Sequence, residues 1–187
     1  MASLFDYLFG NKRKESDGKT RQDSSKSPDV DNPLRSFLLD IDHFEENLFK
    51  SNQKAADAGD AEAQFQTAVC CEQGTGTEKD YAKARLYYAM ASMQGHSYAT
   101  HNLGMLYYFG YGGEQDFNRA FSYFSSAATT GDPLALAALS VCYEQGRGTE
   151  QDAEEAEELM KKAMSQPNVS QGGLGILANN MRGVVIK

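Results

Sequence analysis

The sequence predicts an all-α fold, an α-solenoid of stacked helix pairs with three full copies between helical caps. Three observations carry this prediction. Marker residues recur 36 apart in seven columns: Gly59, Gly95 and Gly131; Ala63, Ala99 and Ala135; Gly74, Gly110 and Gly146; Gly76, Gly112 and Gly148; Asp80, Asp116 and Asp152; Ala84, Ala120 and Ala156; Ala91, Ala127 and Ala163. Identity in every copy without an insertion is the mark of a repeat array. Each copy also divides into two runs of helical spacing around a G-x-G triplet. Finally, these runs are about 12–14 residues long, too short to be stable alone in water, so each must bury a face on its neighbours.

Composition narrows the functional classes. The chain has 187 residues, 41% of them hydrophobic, and a net charge of −8. The charge sits in the repeats, where residues 59–166 hold fifteen acidic and seven basic side chains. An acidic body lacks the basic footprint of non-specific nucleic-acid binding, so no nucleic-acid partner is expected. The three cysteines, Cys70, Cys71 and Cys142, are too few and too unevenly spaced for a disulfide scaffold. They read as apolar thiols of a reducing compartment. No His or Cys stands beside them at ligand spacing, so neither metal nor cofactor is expected. No secretory signal and no apolar run of spanning length is visible, which predicts a cytoplasmic protein.

The elements follow in order. In residues 1–14, Leu4, Phe5, Leu8 and Phe9 would share one helical face, followed by Lys12, Arg13 and Lys14. Such a short amphipathic segment suits weak contact with a membrane surface, at the inner face of a membrane, or with a partner's groove, and the other reading is a disordered terminus. Residues 15–31 are rich in Ser, Asp and Lys without apolar period and read as a flexible linker. Residues 32–58 are the N-terminal cap. Asn32 and Pro33 open it, and Phe37, Leu38, Ile41, Phe44, Leu48 and Phe49 recur at helical spacing. Asp42 with Glu45 forms a candidate capping box, so the cap is expected as one helix or as two with a break near Asp42. Residues 44–58 align with the second helix of an incomplete repeat.

The three repeats occupy residues 59–166. Helix A is expected over Ala61 to Gln73, Ser97 to Phe109 and Pro133 to Gln145. A glycine pair then turns the chain. Asp80, Asp116 and Asp152 cap helix B, which runs to about Met93, Thr129 and Ser165. The alanine columns belong where helices cross closely, because a larger side chain there would force them apart. Tyr87, Tyr123 and Leu159, with Tyr88, Phe124 and Met160, are expected to fill the space between repeats. Residues 167–187 hold a C-terminal cap helix and tail. There Ser170-Gln171-Gly172-Gly173-Leu174-Gly175 echoes the start of helix A one residue out of register.

These residues resemble the Sel1-like repeat family, a relative of the tetratricopeptide fold. Its pattern A-Q-x-x-x-G-x-x-Y-x-x-G-x-G, then D-x-x-K-A, then A-A-x-x-G, appears in the middle copy. There it reads Ala99 through Gly104 to Tyr107, Gly110 and Gly112, then Asp116 to Ala120, then Ala127-Ala128. The first copy departs from it at Thr67-Ala68 and at Cys71. The resemblance implies a right-handed α-solenoid of antiparallel helix pairs. It also implies a non-enzymatic adaptor that holds a protein or peptide partner on the concave face lined by helix A. Some secreted, cysteine-rich members of the family have been linked to β-lactam hydrolysis, but this chain lacks their paired cysteines.

Residues that differ between copies and share one face of helix A are the candidate partner-binding set. In the first copy these are Glu62, Phe65, Gln66, Val69 and Gln73. In the second they are Tyr98, His101, Asn102, Met105 and Phe109, and in the third Leu134, Ala138, Val141 and Gln145. The middle set combines aromatic, amide, Met and His side chains, a mixture favoured at interfaces. No catalytic residue is expected. His43, His96 and His101 have no matched nucleophile or carboxylate, and the run from Asp152 to Glu158 reads as a solvated helix face.

Overall fold

The computed structural model describes residues 33–166 and 170–183. The segment 1–14, with Leu4, Phe5, Leu8, Phe9, Lys12, Arg13 and Lys14, and the linker 15–31 lie outside the described residues. Within them the secondary structure is helical: α1 (Pro33–Asp57), α2 (Ala61–Gln73), α3 (Tyr81–Met93), α4 (Ser97–Phe109), α5 (Phe117–Ala128), α6 (Pro133–Gln145), α7 (Ala153–Met164) and α8 (Gln171–Arg182). None of these helices is long and apolar enough to cross a membrane. Helices α2 and α3, α4 and α5, and α6 and α7 form the three pairs, and α3 packs on α4 as α5 does on α6. This is the predicted α-solenoid.

The caps explain where the helices start and stop. Asp80, Asp116 and Asp152 each accept backbone N–H groups from the first turn of helix B, as predicted. Asp60 and Asp132 cap α2 and α6 in the same way. Helix A ends each time on a left-handed glycine, Gly74, Gly110 or Gly146. Helices α5 and α7 stop at Ala128 and Met164, one residue before the predicted ends.

The second glycine of the triplet has a separate task. Gly112 has φ +74°, and a Cβ there would lie 2.4 Å from the carbonyl of Tyr81, at the start of the preceding helix B. Gly148 meets the Phe117 carbonyl and Gly76 the Glu45 carbonyl at 2.2 Å in the same sense. Glu45, Tyr81 and Phe117 are themselves 36 apart. Each turn therefore seats its main chain directly on the main chain of the element before it.

The small-residue columns are buried as predicted: Ala63, Ala99 and Ala135, Ala84, Ala120 and Ala156, and Ala91, Ala127 and Ala163. Gly104 faces the ring of Phe124, which a Cβ would meet at 2.6 Å. Tyr88 joins two repeats, its hydroxyl donating to Glu72 of α2 at 2.6 Å and accepting from Asn102 of α4 at 3.0 Å.

The structure decides one open expectation and corrects another. The N-terminal cap is one uninterrupted helix of 25 residues, with no break at Asp42. Neither Gly nor Pro interrupts it, and an interior Asp costs less than about 1 kcal/mol of propensity, less than opening a helix end would. The C-terminal cap starts with Ser170 as N-cap, its hydroxyl accepting from Gly173 N. Ser170 thus plays the part of Asp60 and Asp132 and not of Ala63, and it stands two residues beyond the strict period.

Candidate functional site

Helix A presents different surfaces along the array. On α2, Gln66 and Gln73 are exposed while Phe65 and Val69 are half-buried. On α4, Tyr98 is 59% exposed, and Asn102, Met105 and Phe109 are half-buried. These residues form two aromatic runs. In the first, His96 stacks on Phe65 at 4.5 Å and Tyr98 lies 6.5 Å from Phe65. In the second, Tyr111 stacks between Phe109, at 5.5 Å, and Tyr81, at 4.8 Å. Polar contacts hold the surface still. Asn102 is fixed on the Tyr88 hydroxyl, Gln94 donates to Gln64 at 2.8 Å, and His96 approaches Glu62 at 3.2 Å.

The structure removes three predicted residues from this surface. His101 is buried, 4% exposed, against Phe124. Burial lowers the pKa of its imidazole, and the carboxylate of Asp132 opposes that shift. Neither His101 Nδ1 nor Asp132 Oδ2 has a hydrogen-bond partner among the described residues. His101 follows the helical spacing of its neighbours but points at its own helix B, where glycine at position 104 lets the ring of Phe124 come close. Val141 is fully buried, and so is Ala138. The cause is α8, which packs on α6 and brings Ala178 and Met181 into one cluster with both. Gln145 remains half-exposed, but it accepts from the Tyr108 hydroxyl at 3.1 Å. The Met181 carbonyl lies 2.9 Å from that hydroxyl as the competing acceptor of its one proton, and Arg147 donates to the same carbonyl at 3.1 Å.

Other contributors were missed in the sequence. The sequence gives His96 no matched catalytic partner and no other role, yet its Nδ1 caps α4 by accepting from Ala99 N, and its ring extends the aromatic run. The signal was available, since His96 stands 36 residues from both Asp60 and Asp132. Tyr111, inside the G-x-G triplet, gave no signal. A cavity of about 250 Å³ opens at the seam of α4, α6 and α8, lined by Tyr98, Asp132, Pro133, Leu134, Ser170 and Leu174. Only Tyr98 and Leu134 were expected at the surface, because the placement of α8 is a tertiary fact.

Burial raises the pKa of all three thiols, pushing Cys142 up to about 12, so they stay protonated at neutral pH. No cluster of three His, Cys, Asp or Glu side chains suited to a metal occurs among the described residues. The acidic face of α7 is solvated, with Lys161 paired to Glu157 at 2.7 Å.

The Sel1 repeat family matches the chain three times, at residues 61–96, 97–132 and 133–168. Two solved structures are similar. The protective antigen c5321 of uropathogenic Escherichia coli, described as displaying an SLR fold, aligns with TM-score 0.63 and 25% identity over 75% of this chain and 33% of its own. A Sel1 repeat protein from Oxalobacter formigenes aligns with TM-score 0.59 and 24% identity over 76% of this chain and 66% of its own. The chain thus spans a third of the first protein and 66% of the second. No curated protein sequence matches it.

Proposed function

The chain belongs to the Sel1 repeat family, and we propose that it is a non-enzymatic adaptor that grips a peptide or extended protein segment along helix A of its first two repeats. Sel1 repeats generally serve as protein-interaction scaffolds. The observation that carries the finer reading is one continuous open surface. It runs from Gln66, Val69 and Gln73 through the stacked Phe65, His96 and Tyr98 to the cavity beside Leu134 and Leu174. Asn102, Met105 and Phe109 form its floor on α4.

The composition of this surface indicates the kind of ligand. Its aromatic and Met groups suit apolar anchors, and the 250 Å³ cavity has room for one aliphatic side chain. Glu62 and Asp132 lie along it, and no Lys or Arg is among the predicted contact residues. The ligand is therefore an apolar segment with basic residues beside its anchors. A peptide library displayed on phage, panned against the full chain, tests this. Enriched peptides should carry that pattern and bind Tyr98→Ala and Phe65→Ala at least about tenfold more weakly. Equal affinity for both variants and the wild type would remove the helix-A face from the proposal.

A further inference from the structure

Helix α1 is a helix B that lacks its own helix A among the described residues. The inner repeats identify its faces. On α3, Arg85 and Ser92 turn towards the next repeat and meet Leu106 O and Thr100 of α4, while Tyr88 lies between the repeats and touches both Glu72 and Asn102. Ala84 and Ala91 lie on the other side, buried where α3 packs on α2. Counting back 36 places Phe49 and Ala56 on the face of α1 that meets the next repeat. Both are buried, and Gln64 of α2 donates to Ala56 O at 3.1 Å. Leu48 and Ala55 take the face that Ala84 and Ala91 bury, and both are exposed. Ile41 and Phe44 extend that face towards the N-terminus of α1. Phe44 is 67% exposed and Leu48 47%.

We infer that this face is the contact between two copies of the chain, with α1 lying antiparallel on α1 of the second copy. Residues 41, 44, 48, 51 and 55 alternate spacings of three and four, the seam of a helix pair. Centring the pair at residue 46 sets Phe44 on Leu48 of the second copy, twice by symmetry, and Ile41 beside Ser51. The charges select this direction. Along one edge the antiparallel register places Asp40 beside Lys54 of the second copy, again twice. Along the other it creates a single like-charge approach, Glu45 to Glu45. A parallel register would instead set Asp40 against Glu45 twice, with no attractive pair in return. The same face of one helix serves both copies, as a two-fold interface requires. The sequence offers no internal substitute in register, because the helix-A equivalent, residues 25–37, runs into α1 at Pro33 and has no apolar period before it.

Sedimentation velocity of the full chain across a concentration series tests the interface, with circular dichroism as a control for folding. The wild type should form a dimer, and Phe44→Glu should weaken it at least about tenfold without changing helicity. Asp40→Lys and Lys54→Asp should each weaken it, and the double exchange should restore it. A wild type that stays monomeric throughout the series would overturn the inference. So would a dimer indifferent to Phe44→Glu, or a double exchange that fails to recover association, which would point to another occupant of the face.

Discussion

Helix A of the second repeat and helix A of the third are built on the same scaffold columns, yet they end up differently. In α4 one side stays open or half-open, with Tyr98, Asn102, Met105 and Phe109 at the surface, while His101, Leu103 and Leu106 are buried. In α6 the run from Ala135 to Cys142 is buried without a break. The cause lies further along the chain. Two elements on from α4, α6 leaves its open face alone, whereas two elements on from α6, α8 lies across it and adds Leu174, Ala178 and Met181 to its core. Variation between copies therefore has two meanings. In the second repeat it marks a surface, and in the third it marks the fit of a terminal cap.

That comparison can be broken at its shared base. Gly112→Val combines a left-handed backbone with a clash against the Tyr81 carbonyl, so it should cost about 4 kcal/mol, and the equivalent change at Gly148 should cost a similar amount. Urea denaturation measures both. Equal losses would establish that the two repeats share one scaffold. A loss below about 1 kcal/mol at either site would show that its turn can move away.

Unsealing the third repeat should cost somewhat less. Met181→Ala removes a buried side chain from the α8–α6 contact and should lower stability by about 3 kcal/mol in the same measurement. Hydrogen exchange in α6 should rise while exchange in α2 stays unchanged, because a repeat array loses order locally. Uniform loss of protection would instead make the array a single cooperative unit.

The buried histidine gives a smaller, pH-dependent effect. Burial holds the folded-state pKa of His101 below its ordinary value of about 6.5, so under acid conditions the unfolded chain binds more protons at this site than the folded chain does. Stability should be unaffected by this group above that value and should fall as pH drops from about 6.5 through the folded pKa. The slope should not exceed about 1.4 kcal/mol per pH unit. Replacing His101 with Phe should flatten that part of the profile, measured as the urea midpoint between pH 7.5 and 5. An unchanged slope would assign it to other groups. The smallest expected change in stability comes from Tyr98→Ala, within about 0.5 kcal/mol, because the ring is exposed. That variant should nonetheless lose peptide binding, and a large loss of stability would move Tyr98 into the core.

The legible part of the fold was the part that repeats. Identical columns disclosed the helix limits, the aspartate caps and the left-handed glycines, because each of those is fixed by local chemistry within one turn of helix. The candidate surface was legible only where burial follows from position in the repeat, as for Phe65, Tyr98 and Met105. His101 misled because helical spacing gives a direction but not what lies there, and Phe124 reaches it across the space that Gly104 leaves. Val141 misled because its cover comes from α8, whose docking depends on contacts such as Met181 O with Tyr108 that have no counterpart in the other copies. The continuity of α1 was hidden by a capping-box pattern that an uninterrupted helix also tolerates.

The seating of Gly76, Gly112 and Gly148 on neighbouring carbonyls has a consequence for how such a molecule can change. At these turns the interval between one repeat and the next is set by backbone meeting backbone. The residues on the open side of helix A can then be exchanged without altering the spacing at which they are displayed. The array works as a ruler whose graduations are fixed and whose markings are free to be rewritten.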